Sequence, residues 1–219
     1  MTRDQIRTAI QEIGIIPAIR VSSEADALFA ADAVSSSGIP IVEVTMTVPG
    51  AVKVISDLVR SNPSLIVGAG SLSGVEKAKR CLDAGAMFLT SPGLDPDLVE
   101  FAIENNTVVF PGAMTPSEVM AAWKSGADFV KVFPCSHLGG PAYIRALKRP
   151  FPDIPLIASG GVNQQTAAEF IHAGAIALGI GHDLIQPRAI ERREKGWIRE
   201  LSLRYLQMIA DSRGVLNAK

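Results

Sequence analysis

The chain is 219 residues long, 47% hydrophobic and 20% charged, with 21 basic against 22 acidic residues and a formal charge of −1. That length accommodates one full core or two small ones, and the balanced charge without a basic cluster argues against nucleic-acid or acidic-membrane partners and for a small-molecule ligand. Cys81 and Cys135 make no disulfide framework, Met1-Thr2-Arg3-Asp4-Gln5 lacks a signal-peptide pattern, and no apolar run reaches membrane-span length, so a cytoplasmic protein with no membrane contact is expected.

Residues 2–12 read as a short helix with Ile6, Ile10 and Ile13 along one side. Eight short apolar runs follow, at 15–21, 41–46, 65–70, 87–92, 108–112, 129–134, 155–160 and 175–181, and their starts lie 20 to 26 residues apart. Each interval is long enough for one strand, one helix and two turns. Ser22-Ser23-Glu24, Ser73-Gly74-Val75-Glu76 and Thr115-Pro116-Ser117-Glu118 are helix starts, before helical stretches such as 25–36 and 77–84. Gly38, Gly85, Gly126 and Gly174 mark helix exits. No linker or charge block divides the chain. The pattern predicts an α/β fold, a (β/α)8 TIM barrel with an N-terminal helix, as one domain over residues 1–219, with 191–210 as the last helix. A doubly wound sheet would normally carry a Gly-rich turn after the first strand, and Arg20-Val21-Ser22-Ser23 is not one.

In such a barrel the chemistry gathers at strand C-termini. The period of two in 129–134 places Phe129, Lys131 and Phe133 on one face, opposite Val130 and Val132. Desolvation there favours the neutral amine, the nucleophile of Schiff-base chemistry; a snorkelling or ion-paired lysine is the alternative. In the second run, Glu43 shares a face with Ile41, Thr45 and Thr47, which directs it inward, as a proton-transfer group or as a structural partner of Lys131. Arg20 ends the first run with the parity to bind a carboxylate, or lies on the surface. Gly68-Ala69-Gly70-Ser71 offers close backbone approach and a hydroxyl for an anion, whereas Thr90-Ser91-Pro92-Gly93 and Phe110-Pro111-Gly112-Ala113 read equally as turns. Ala158-Ser159-Gly160-Gly161-Val162-Asn163 and Gly179-Ile180-Gly181-His182-Asp183 stand where phosphate-binding barrels cradle phosphate; two ordinary glycine turns are the alternative. Cys135 and His137 have no further cluster to complete a metal site, His172 ends a helix, and Trp123 and Trp197 read as core or interface aromatics. Ser91 lacks a histidine at a recognisable spacing and is no serine nucleophile.

The ordered set Val42-Glu43-Val44-Thr45, Gly68-Ala69-Gly70-Ser71, Ser91-Pro92-Gly93, Phe110-Pro111-Gly112, Lys131-Val132-Phe133-Pro134, Ser159-Gly160-Gly161-Val162 and Gly179-Ile180-Gly181 resembles the class I aldolases of 2-keto-3-deoxy-6-phosphogluconate (KDPG) and 4-hydroxy-2-oxoglutarate (KHG), over residues 15–185. The resemblance implies that Lys131 forms the Schiff base and Glu43 moves protons. It implies that Ser71 contacts the substrate carboxylate, that Pro92 and Phe133 line the keto-acid pocket, and that Ser159, Gly160, Gly161 and Gly181 hold a phosphate or other distal group. It also implies a homotrimer with neither metal nor organic cofactor. Two positions depart from the pattern. Thr47 stands where many members carry arginine, leaving Arg20 to supply that charge, and His182 replaces a serine of the phosphate loop. The galactonate-derived epimer is therefore a further candidate substrate. A phosphosugar isomerase or epimerase, or a non-catalytic sugar-phosphate sensor, is the rival reading.

Overall fold

The computed structural model describes residues 1–217, so the last two residues of the expected domain lie outside the described residues. The Thr2 hydroxyl accepts the Gln5 N–H at 3.3 Å and the Gln5 side chain accepts the Thr2 N–H at 2.8 Å, a reciprocal cap that starts α1 (Arg3–Ile13). Ile6 and Ile10 of α1 are buried, and Ile13 only partly so.

The strands are β1 (Ile15–Ile19), β2 (Ile41–Thr45), β3 (Ile66–Gly70), β4 (Phe88–Thr90), β5 (Val108–Phe110), β6 (Gly112–Ala113), β7 (Val130–Val132), β8 (Leu156–Ser159) and β9 (Ala175–Ile180). They pair in parallel in the order β5-β4-β3-β2-β1-β9-β8-β7-β6. β5 and β6 are two pieces of one barrel position, parted at Pro111, which has no N–H for the ladder. Bonds from Asp128 N to Val109 O (2.9 Å), Lys131 N to Pro111 O (3.0 Å) and Phe133 N to Ala113 O (3.2 Å) join that position to β7. The sheet thus returns on itself, and the eight predicted runs become the eight staves of a (β/α)8 barrel. The run 87–92 shortens to β4 because Ser91 turns the chain, its hydroxyl donating to Gly93 O at 2.6 Å.

The helices follow the staves: α2 (Glu24–Ser35), α3 (Ala51–Ser61), α4 (Val75–Asp83), α5 (Pro96–Glu104), α6 (Pro116–Lys124), α7 (Pro141–Lys148), α8 (Ala167–His172), α9 (Pro187–Glu191) and α10 (Lys195–Asn217). Ser23 caps α2, and Thr115 with Glu118 makes a full capping box on α6 behind Pro116. The predicted cap at Ser73 is corrected: Gly74 holds the cap position and gives its N–H to Asp95 Oδ2 at 3.1 Å, while Ser73 accepts from Lys77. The last helix is also shorter at its start than predicted, because Arg193 adopts φ 53° and separates α9 from α10. Trp123 and Trp197 are 39% and 38% exposed and so belong to the surface, not the core.

Inside the barrel, Phe88 stacks on Phe110 (5.3 Å between centroids) and Phe110 meets Phe129 edge-on (6.1 Å). A Cβ at Gly68 would overlap the Phe88 ring, so the glycine in β3 makes room for this aromatic layer. At the opposite end from the strand C-termini, Arg3 and Arg7 of α1 converge on buried Asp128, whose Oδ2 also accepts the Val109 N–H at 2.9 Å. This clamp fixes α1 under the barrel.

Candidate active site

Alternation along β7 turns Lys131 into the barrel between the outward Val130 and Val132, with Phe129 below it and Phe133 above. Alternation along β2 turns Glu43 to the same interior, in register with Gly68 of β3. Lys131 Nζ lies 3.6 Å from Glu43 Oε2, with only 9% and 4% of the two side chains exposed. The separation exceeds a good hydrogen bond, so the pair is adjacent without being locked together. Lys131 Nζ also donates a long bond to Thr90 Oγ1 (3.4 Å) and lies 5.6 Å from the Phe133 ring centre. Gly70 explains why Glu43 fits: a Cβ there would overlap its carboxylate.

These two groups floor a cavity of about 310 Å³ at the strand C-termini. Arg20, Ser71, Pro92, Phe133, Ser159, Gly160, Gly161, Gly181 and His182 line it with them, so every residue singled out from the sequence is here except Thr47. β2 ends at Thr45, and the turn that follows takes Thr47 out to the surface, with its hydroxyl 2.7 Å from that of Thr45. Thr47 instead borders a neighbouring groove of about 370 Å³, joined to the cavity along Arg20, Ile185 and Pro187. The Arg20 guanidinium donates to Ser71 Oγ at 3.2 Å, which puts a cation and a hydroxyl side by side on one wall. Ser71 itself holds a left-handed backbone, φ 57°.

On the staves that follow β1 round the barrel, the loops after β9 and β8 bring Gly181-His182-Asp183 next to Gly160-Gly161-Val162. The backbone N–H groups of Gly161, Val162, His182 and Asp183 find no acceptor among the described residues, so this rim can donate to an incoming oxygen. A larger recess of about 730 Å³ between α3 and α4 contains none of these groups, and chemistry rather than volume identifies the site. Among the described residues, no group of three or more His, Cys, Asp or Glu side chains is arranged to hold a metal.

Thr90 and Asp183 stood in the strand-end stretches of the sequence but were given no role there. Thr90 was detectable: it lies two residues beyond Phe88 on the inward face of β4. Asp183 lies beyond the end of β9, where no strand period assigns a direction.

A parallel barrel whose mouth pairs a buried amine with a buried carboxylate, under a rim of open backbone donors, has the design of an aldolase, a carbon–carbon lyase. The family model "KDPG and KHG aldolase" matches residues 6–201, and the chain belongs to that family. It is 30% identical over 209 residues to 2-dehydro-3-deoxy-phosphogluconate aldolase of Pseudomonas aeruginosa, with 95% of each chain covered. It is 29% identical over 186 residues to a probable 2-dehydro-3-deoxy-6-phosphogalactonate aldolase of Rhizobium meliloti, covering 84% of this chain and 87% of that one. Among solved structures, KDPG aldolase of Legionella pneumophila, with pyruvate captured as a covalent carbinolamine, superposes with a TM-score of 0.84 at 27% identity, covering 90% of this chain and 96% of that one.

Proposed function

We propose that the chain is a class I aldolase that cleaves a 4-hydroxy-2-keto acid to pyruvate and an aldehyde through a Schiff base on Lys131. The observation that carries this reading is the Lys131–Glu43 pair, 3.6 Å apart and buried at the floor of a cavity at the strand C-termini. The neutral amine adds to the C2 ketone, and Glu43 supplies and recovers the protons as the carbinolamine loses water to give the iminium. Glu43, directly or through one water, then takes the C4 hydroxyl proton. The C3–C4 bond breaks, its electron pair flows to the iminium nitrogen, and the aldehyde leaves. Glu43 returns the proton to C3 of the enamine, and hydrolysis releases pyruvate and the free amine. Thr90 limits the reach of the amine from the β4 side.

Arg20 and Ser71 take the substrate carboxylate, Pro92 and Phe133 enclose the keto-acid end, and Ser159, Gly160, Gly161, Gly181 and His182 take the distal end. The lines of similarity point to KDPG, KHG and the galactonate-derived epimer as the candidate substrates. The chain acts as a homotrimer with no metal or organic cofactor, as the family resemblance implies, and its two cysteines without a disulfide framework suit the cytoplasm. No helix among the described residues is long and apolar enough to cross a membrane. Pyruvate release from each of the three substrates by the purified protein, followed with a coupled dehydrogenase, tests the reaction. Turnover of one or more supports it, and no turnover of any of them refutes it. Light scattering should give a mass three times that of one chain.

A further inference from the structure

Two threonines buried at strand ends use their hydroxyls differently. Thr45, closing β2, donates to Ile19 O at 3.0 Å and so ties its stave to β1. A buried hydroxyl in a sheet ordinarily needs such an acceptor, because its proton is costly to desolvate unpaired. Thr90, closing β4, is equally buried but has no backbone acceptor among the described residues. The one hydrogen bond of its side chain is the 3.4 Å contact in which Lys131 Nζ donates to Oγ1. Packing gives no reason for a hydroxyl there, since Phe88 precedes Thr90 on the same face and Phe110 is its partner on β5. A valine has nearly the same shape and would fill the place without a proton to satisfy. Among the described residues, the hydroxyl meets the amine alone.

We propose that Thr90 is a catalytic residue, whose hydroxyl oxygen holds an N–H of the Lys131 nitrogen and so fixes the direction in which that nitrogen reacts. The proposal rests on the aldolase reading above and adds a group to its site. A neutral amine has two N–H bonds and one lone pair. Lys131 crosses the barrel from β7 and meets two acceptors on separate staves, Thr90 Oγ1 of β4 at 3.4 Å and Glu43 Oε2 of β2 at 3.6 Å. Between them runs β3, where Gly68 pairs with Phe88 and Ala69 with Leu89, and where Gly70 leaves its space to the Glu43 carboxylate. With one N–H turned to each acceptor, rotation about the Cε–Nζ bond is restrained. The lone pair is then left facing the cavity, which Lys131 lines and Thr90 does not. Once water has left the carbinolamine, the iminium nitrogen is planar and keeps a single N–H. Thr90 is neutral and exchanges no proton, so it retains that N–H while Glu43 is released to work at the C4 hydroxyl and at C3. Holding the N–H sets the plane of the iminium, and the C3–C4 bond must stand across that plane for its electron pair to reach the nitrogen.

The test follows exchange of the pyruvate methyl protons in deuterium oxide by NMR, because the iminium and enamine form and revert there with no aldehyde present. Each cycle passes a C3 proton to Glu43 and returns a deuteron from solvent. At saturating pyruvate, Thr90→Val should slow exchange about tenfold or more, the loss of one hydrogen bond to a charged nitrogen. Thr90→Ser keeps the hydroxyl and drops the methyl, and should stay within about threefold of the native rate. Thr90→Ala replaces the valine variant if circular dichroism shows that the latter does not fold. Exchange slowed by less than about threefold in the variant without a hydroxyl, or a serine variant as slow as that one, overturns the proposal and leaves the aldolase reading intact. A native protein that neither exchanges pyruvate protons nor is trapped on Lys131 by borohydride removes the aldolase reading, and this proposal with it.

Discussion

Glu43 can occupy the barrel interior because its neighbour on β3 has no side chain. Gly70→Ala would drive a Cβ into the Glu43 carboxylate and displace it from Lys131. Misplacing a reacting group by about 1 Å costs on the order of 100-fold, so kcat should fall by roughly that factor in steady-state assays of a protein that still folds. Arg20 acts differently, through binding. Losing a charge-assisted hydrogen bond costs about 1.5–3 kcal/mol, so Arg20→Ala should raise KM for the keto acid roughly ten- to a hundredfold. An unchanged KM would remove Arg20 from the carboxylate site. The same residue scale shows where strand parity stops being informative. It directs Glu43 and Lys131 correctly because both lie within strands, and it misdirects Thr47 because β2 ends two residues earlier. Asp183, beyond β9, had no period to reveal it.

The elements explain why the barrel itself was legible. Each stave is a short apolar run, and the glycines that mark four of the helix exits, Gly38, Gly85, Gly126 and Gly174, all have φ between 90° and 104°. The capping box of α6 was equally plain in the sequence, and it is strong because Glu118 accepts from the Met114 and Thr115 N–H groups at 2.8 and 2.7 Å. Those bonds hold the Glu118 carboxyl below its ordinary range. A depressed folded value means that the cap contributes fully above the usual carboxylate range and is lost as pH falls through the folded value. Thr115→Ala should cost about 1 kcal/mol, read as a lowered urea midpoint with an unchanged slope. The cap that failed, at Ser73, lost to Asp95, which accepts the Gly74 N–H from 21 positions further along the chain. Local sequence does not reveal such long-range competition.

Across the whole molecule, stability and chemistry occupy opposite ends of the barrel. Asp128 holds α1 at the N-terminal end, and Asp128→Ala would leave the Val109 N–H without its side-chain acceptor while freeing Arg3 and Arg7. A buried donor without a partner costs about 1–3 kcal/mol, so urea unfolding should shift by that amount while kcat stays near the native value. The two thiols fit the same division. Cys81 and Cys135 are fully buried, and burial raises them to about 11 and about 12 respectively, so at neutral pH both remain protonated and should resist alkylation until the protein unfolds. At the C-terminal end, the central claim is that one buried amine becomes covalently joined to the substrate. Reduction with borohydride in the presence of pyruvate, followed by peptide mass mapping, tests this most directly. The predicted result is a single stable pyruvyl adduct on Lys131; turnover without an adduct there, or an adduct confined to another lysine, would contradict it.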